Sequence, residues 1–168
     1  MSTESESGVE ESEVDDLVES ATPAFAPPLA YRPLRYVGVV MNLPSTNPTL
    51  VLQEEDDPHR ELHIPIALAD GIAITFAARS VATPKPLTHE LITNIFDAYG
   101  LTLEQVRIIA VENNAYSAEL LLSGSLGSRV LECRVTDGVC LALRQRLDVP
   151  VTAAEEVLFQ ASVVSREP

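Results

Sequence analysis

At 168 residues the chain has the length of one domain plus a tail, and its 46% hydrophobic and 5% aromatic content, without Trp, describes an aliphatic globular protein rather than a disordered or fibrous one. A net charge of −14, one lysine (Lys85) and scattered arginines exclude the basic stripe that grips long duplexes, because that grip comes from neutralising phosphates and releasing counterions. No apolar run reaches the roughly 18 residues of a membrane span, and the acidic N-terminus lacks the basic and hydrophobic regions of a signal peptide, so a cytoplasmic protein without membrane association is expected.

The acidity is concentrated at one end. Residues 1–30 hold Glu4, Glu6, Glu10, Glu11, Glu13, Asp15, Asp16 and Glu19 and no Lys or Arg, so they carry −8 and the remainder −6. This Ser/Glu-rich stretch ends at Pro23, Pro27 and Pro28 and has too little apolar surface to offset the entropy of ordering. A disordered acidic tail over 1–30 is expected, followed by a domain over 31–161 and a frayed end over 162–168.

The first elements are strands. Leu34 to Met41 and Thr49 to Gln53 read as extended, with turn chemistry from Asn42 to Pro48 and a charged hairpin loop from Glu54 to Arg60. Leu62 to Ile66 reads as a third strand, which Pro65 places at an edge or a strand end. Ala67 to Ala78 reads as a small-residue helix with Ile72 and Phe76 inward, despite Gly71 in its interior.

Thr88 is the expected N-cap of a helix reaching Tyr99, since Leu91, Ile92, Ile95, Phe96 and Tyr99 recur at helical spacing, and Gly100 is the expected terminator. Val106 to Glu112, Ala115 to Leu122 and Ser128 to Arg134 then form an antiparallel meander turning at Asn113-Asn114. Thr136 is the expected cap of a helix to Leu147. Asp148 to Val151 is a short extended piece, and Thr152-Ala153-Ala154-Glu155 has capping-box spacing for a last helix to Ala161. Strands in runs, not alternating strictly with helices, predict an α+β fold: an antiparallel or mixed sheet carrying three to four helices in one domain. Cys133 and Cys140, at a strand end and inside a helix, lack the spacing and partners of a metal site and read as small core residues.

Two blocks gather ionisable residues where strand or loop hands over to helix: Lys85-Pro86-Leu87-Thr88-His89-Glu90-Leu91, and Glu132-Cys133-Arg134-Val135-Thr136-Asp137-Gly138 running on to Leu141-Ala142-Leu143-Arg144. Together they resemble the bifunctional nuclease family, a small α+β domain of bacteria and plants credited with DNase and RNase activity. The resemblance extends over about residues 34–161. It departs from the family pattern at Ala67 for Gly, Asp70 for Glu, Glu132 for Asp, Val135 for Pro and Thr136 for Ser.

The resemblance implies phosphodiester hydrolysis, which needs an activated nucleophile, stabilisation of the phosphoryl oxygens and a proton for the leaving oxygen. His89, Glu90, Arg134 and Asp137 are the expected catalytic residues. Lys85, Thr88 and Thr136 are expected at the phosphate, aided by the helix N-termini, and Asp137 with Glu132 or Glu90 would hold Mg²⁺ or Mn²⁺. Each residue also has a structural reading: the threonines as caps, Glu90 and Asp137 as first-turn acids, and Arg134 as the ion-pair partner of Asp137. His59 and His63 read as structural or solvated.

The leading expectation is a nuclease of low sequence preference that binds nucleic acid weakly and forms a homo-oligomer. The alternative is a non-catalytic interaction module, whose acidic tail meets a basic protein partner and whose strand at 62–66 pairs with a second copy.

Overall fold

The computed structural model describes residues 30–145 and 148–164. The acidic tail up to residue 29, the end of the helix expected to reach Leu147, and residues 165–168 lie outside the described residues. The elements follow in the order β1 (Tyr31–Val40), β2 (Thr49–Glu54), β3 (Arg60–Pro65), α1 (Leu68–Ala78), α2 (Thr88–Tyr99), β4 (Thr102–Glu112), β5 (Ala115–Ser123), β6 (Arg129–Arg134), α3 (Val135–Arg144), β7 (Val151–Ala154), α4 (Glu155–Ala161) and β8 (Ser162–Val164). The fold is α+β, as the runs of strands predict.

One mixed sheet runs in the order β6-β5-β4-β7-β1-β2-β3-β8. Two antiparallel runs, β1-β2-β3-β8 and β4-β5-β6, are joined through β7, which pairs antiparallel with β1 and parallel with β4. The meander turns where expected: Asn113 and Asn114 take φ of 49° and 65°, the left-handed pair that a two-residue hairpin loop requires and asparagine tolerates. Leu50 to Glu54 of β2 are all buried, and since neighbouring strand residues point to opposite faces, both faces of β2 are covered.

The larger core cluster joins Leu50, Leu52, Leu62 and Ile108 of the sheet to Ile74 of α1, Val139 of α3 and Leu158 of α4. A second cluster packs Phe96 of α2 and Leu141 of α3 on Val106, Leu120 and Leu122. Cys140 is buried and Cys133 half-buried, both as free thiols. Burial, the largest cause in each case, pushes both up to about 11, so they are packing groups as expected.

Several expectations are corrected. Ile72 points outward, and α1 buries Gly71, Ile74 and Ala77 instead. The reason is close approach, since a Cβ at Gly71 would stand 3.0 Å from Pro48 Cγ and 3.3 Å from Val39 Cγ1. On α2 only Phe96 is buried; Leu91, Ile95 and Tyr99 are exposed. None of the three threonines is a cap: the N-caps are Leu87, Arg134 and Ala154, without side-chain cap bonds. Thr152 lies in β7, where its hydroxyl takes a hydrogen bond from Gln105 Nε2 at 3.2 Å and gives one to the Val106 carbonyl at 3.4 Å.

β8 pairs with β3 only from Arg60 to Leu62, so the first half of that strand is covered, and Pro65 stands at the strand end as expected. Residues 162–164, expected to fray, form that covering strand. Gly100 ends α2 as expected, at φ 62°. No described helix is long and apolar enough to cross a membrane.

Candidate functional site

All four described helices carry an acid in their first turn, among them Asp70 in α1, Glu90 in α2 and Asp137 in α3. Such acids complement the exposed N–H groups of a helix N-terminus. Arg134, the last residue of β6 and the N-cap of α3, links two of them. Its Nε and Nη2 donate to Oδ2 and Oδ1 of Asp137, each at 2.8 Å, and its Nη1 stands 3.5 Å from Asp70 Oδ2. From α2, His89 Nε2 reaches Asp137 Oδ1 at 3.0 Å. His89, Arg134 and Asp137, distant in sequence, thus form one cluster.

The chemistry of the cluster follows from its bonds. The Arg134 guanidinium, and after it the His89 ring, hold the Asp137 carboxyl below the usual aspartate range against the opposing effect of partial burial. The same bonds to Asp137 raise Arg134. With Asp137 ionised, His89 presents its Nε2–H to it, and Nδ1 becomes the nitrogen free to exchange a proton with a substrate. The His89 side chain is 15% exposed and that of Arg134 65%, so the guanidinium combines a fixed edge with an outward one.

Glu90 stands beside this cluster with different partners. Its Oε2 accepts from Thr83 Oγ1 at 3.3 Å and from the Leu87 backbone N–H at 3.4 Å, and lies 3.7 Å from Arg144 Nη1. Lys85 is exposed in the loop before α2, where its carbonyl accepts from Thr83 Oγ1 at 2.5 Å. Thr88 is exposed at the start of α2 and Thr136 is buried in α3. His59 and His63 contact the Glu54 carbonyl and Glu61, at 3.2 Å and 2.8 Å.

Among the described residues Glu132 makes no hydrogen bond or ion pair with the cluster. It faces Glu119 across the β5–β6 pair, on the side of its strand opposite Cys133, which packs against both core clusters. Both oxygens of Asp137 are already engaged by cationic or ring donors, and among the described residues no three His, Cys, Asp or Glu side chains are placed to hold a metal ion. The residues as arranged do not fit an Mg²⁺ or Mn²⁺ centre.

Asp70 and Arg144 are the members that the sequence reading did not assign to the site. Asp70 was legible as a first-turn acid like Glu90 and Asp137. Arg144 lies two helical turns after Asp137, on the same face of α3.

The sequence model of the bifunctional nuclease domain matches residues 50–166. Two proteins of Mycobacterium tuberculosis strains, each titled an uncharacterized protein, are 33% identical over 131 residues, covering 78% of this chain and 76% of theirs. Bifunctional nuclease 2 of rice is 26% identical over 132 residues, covering 76% of this chain and 40% of the rice protein. With both sequence blocks folded into one site and the domain match covering most of the chain, the chain belongs to the bifunctional nuclease domain family.

Proposed function

We propose that the chain hydrolyses phosphodiester bonds in RNA and DNA, with His89 as the proton-transfer group, Asp137 as the residue that orients it and Arg134 as the phosphate contact. The observation that carries this reading is the shared carboxylate: Asp137 fixes the His89 ring through Nε2 and the Arg134 fork through two bonds. His89 Nδ1 takes a proton from the attacking water as the new P–O bond forms, and the imidazolium returns one to the leaving oxygen as the old bond breaks. The exposed part of the guanidinium meets the charge that builds on the phosphoryl oxygens. Lys85 and Thr88, both exposed and close to His89 in the chain, would add a charge and a hydroxyl for the phosphate.

The test is cleavage of labelled single-stranded RNA and DNA by the wild-type protein and by His89→Ala and Asp137→Asn, each with Mg²⁺, Mn²⁺ or EDTA. General acid–base catalysis contributes about 10²–10⁴-fold, so both variants are expected to lose at least about 10² in rate while keeping their melting temperature within a few degrees. Cleavage that persists in EDTA is expected of a site built from these residues. Equal cleavage by wild type and both variants would remove the cluster from the chemistry.

A further inference from the structure

A cleft of about 840 Å³ lies between the end of α1, α2 and the C-terminal end of α3, within the size range of a ligand pocket. Glu90 is on its wall, one residue from His89. Opposite in charge stands Arg144, whose side chain is only 8% exposed. Burying a guanidinium is costly unless its donors are paired, yet the Nε of Arg144 has no hydrogen-bond partner and its Nη1 reaches Glu90 only at 3.7 Å, an ion-pair separation. The neighbouring Gln145, on the same wall, also has a buried Nε2 without a partner. Two donors of these wall residues therefore lack an acceptor, and both are shielded from solvent.

The acceptors of the cleft are equally underused. Glu90 Oε1 accepts no hydrogen bond from the described residues, while Oε2 receives only the long contacts given above. Asp97 adds a second carboxylate to the lining. A bare phosphate would fit the donors but be repelled by these acids. The complementary ligand carries a hydrogen-bond acceptor next to donors and has flat apolar faces for Val81 and Leu143.

Resting on the nuclease reading, we propose that this cleft is a nucleobase subsite that prefers guanine in a single-stranded substrate. The guanine O6 meets Arg144 and Gln145 as their shielded donors turn toward the cleft, and its N1–H and N2–H₂ face the Glu90 carboxylate. Unpaired bases are read in this way along their Watson–Crick edges. Adenine carries a donor amino group where guanine has O6, and uracil offers no amino group to the acid. The low sequence preference expected from the sequence is thereby replaced by a preference at one nucleotide.

The test separates binding from cleavage. Titration calorimetry of the full chain with GMP, AMP, CMP and UMP is expected to give GMP at least about tenfold tighter binding than AMP or UMP, the discrimination of one bidentate base contact. Glu90→Gln is expected to abolish that margin without unfolding the protein, and Arg144→Gln to weaken GMP binding. Should Arg144→Gln fail to fold, Glu90→Gln alone decides. Equal affinity for the four nucleotides, no binding of any, or tightest binding of CMP would each overturn the guanine subsite. GMP-selective binding by a protein that cleaves no nucleic acid would support the subsite and overturn the nuclease reading.

Discussion

Both oxygens of Asp137 are engaged by Arg134, and Oδ1 is shared with His89, so one side chain sets the orientation of two others. Bidentate geometry belongs to arginine, whereas lysine offers a point charge on a flexible stem. Arg134→Lys is therefore expected to lower kcat/KM for oligonucleotides by about tenfold or more with little change in folding, measured by steady-state cleavage and thermal melting. The carboxyl of Asp137 lies below its ordinary value of 3.8 in the folded chain. A depressed acid stabilises the fold in full above its unfolded value and loses that contribution as pH falls through its folded value. Melting curves of wild type and Asp137→Asn should accordingly differ most above about pH 4 and converge at more acidic pH.

Helix α3 is placed by what its first turn lacks. A Cβ at Gly138 would stand 2.7 Å from Val106 Cγ1 and 3.4 Å from Cys133 Sγ, so α3 lies against β4 and β6 at a distance only glycine permits. Gly138→Ala is expected to lower the unfolding free energy by about 1–3 kcal/mol, the usual range for overpacking, measured by urea denaturation. Cleavage should fall in parallel, because the displaced helix start carries Asp137. Element types were legible because period two and helical spacing are strong in β5 and in α2. The inward face of α1 was not legible, since the pattern weighs Ile72 by its size while the packing selects Gly71 for having none. The caps were missed for a related reason: Thr88, Thr136 and Thr152 have the right chemistry, but backbone geometry starts each helix on another residue.

Across the whole molecule, the deepest charge lies far from the cluster in sequence. Glu54, 0% exposed, is bound by Arg60 at 2.8 Å and 3.0 Å and by Arg32 at 2.7 Å, and Arg60 continues to Glu155 at 2.8 Å. This network ties β1, β2, β3 and α4 together. Hydrogen bonds from Arg60, then from Arg32, bring Glu54 from 4.5 to about 2 against the opposing effect of burial. Its stabilisation is therefore complete above about pH 4.5 and lost as pH falls toward 2. Glu54→Gln is expected to cost about 3–5 kcal/mol at neutral pH, because it leaves half-buried Arg60 short of its partner, and to flatten the acid limb of a stability-versus-pH curve. Deleting residues 1–28, with their eight acids, is expected to lower KM for oligonucleotides at low salt and to matter little at high salt, where the repulsion is screened.

The sequence by itself determined most of the element types, the α+β class, the antiparallel meander and the two blocks that hold His89, Arg134 and Asp137, because these depend on local spacing and turn chemistry. Only the tertiary structure decided that β7 joins the two strand runs, that β8 pairs with the start of β3, that Asp70 joins the cluster through Arg134, and that Glu132 lies opposite Glu119 in the β5–β6 pair. Those outcomes depend on pairings between residues far apart in the chain, which a four-residue strand or a single carboxylate does not encode locally. The same long-range packing sets Arg144 beside Glu90 and leaves its buried Nε without a hydrogen-bond partner.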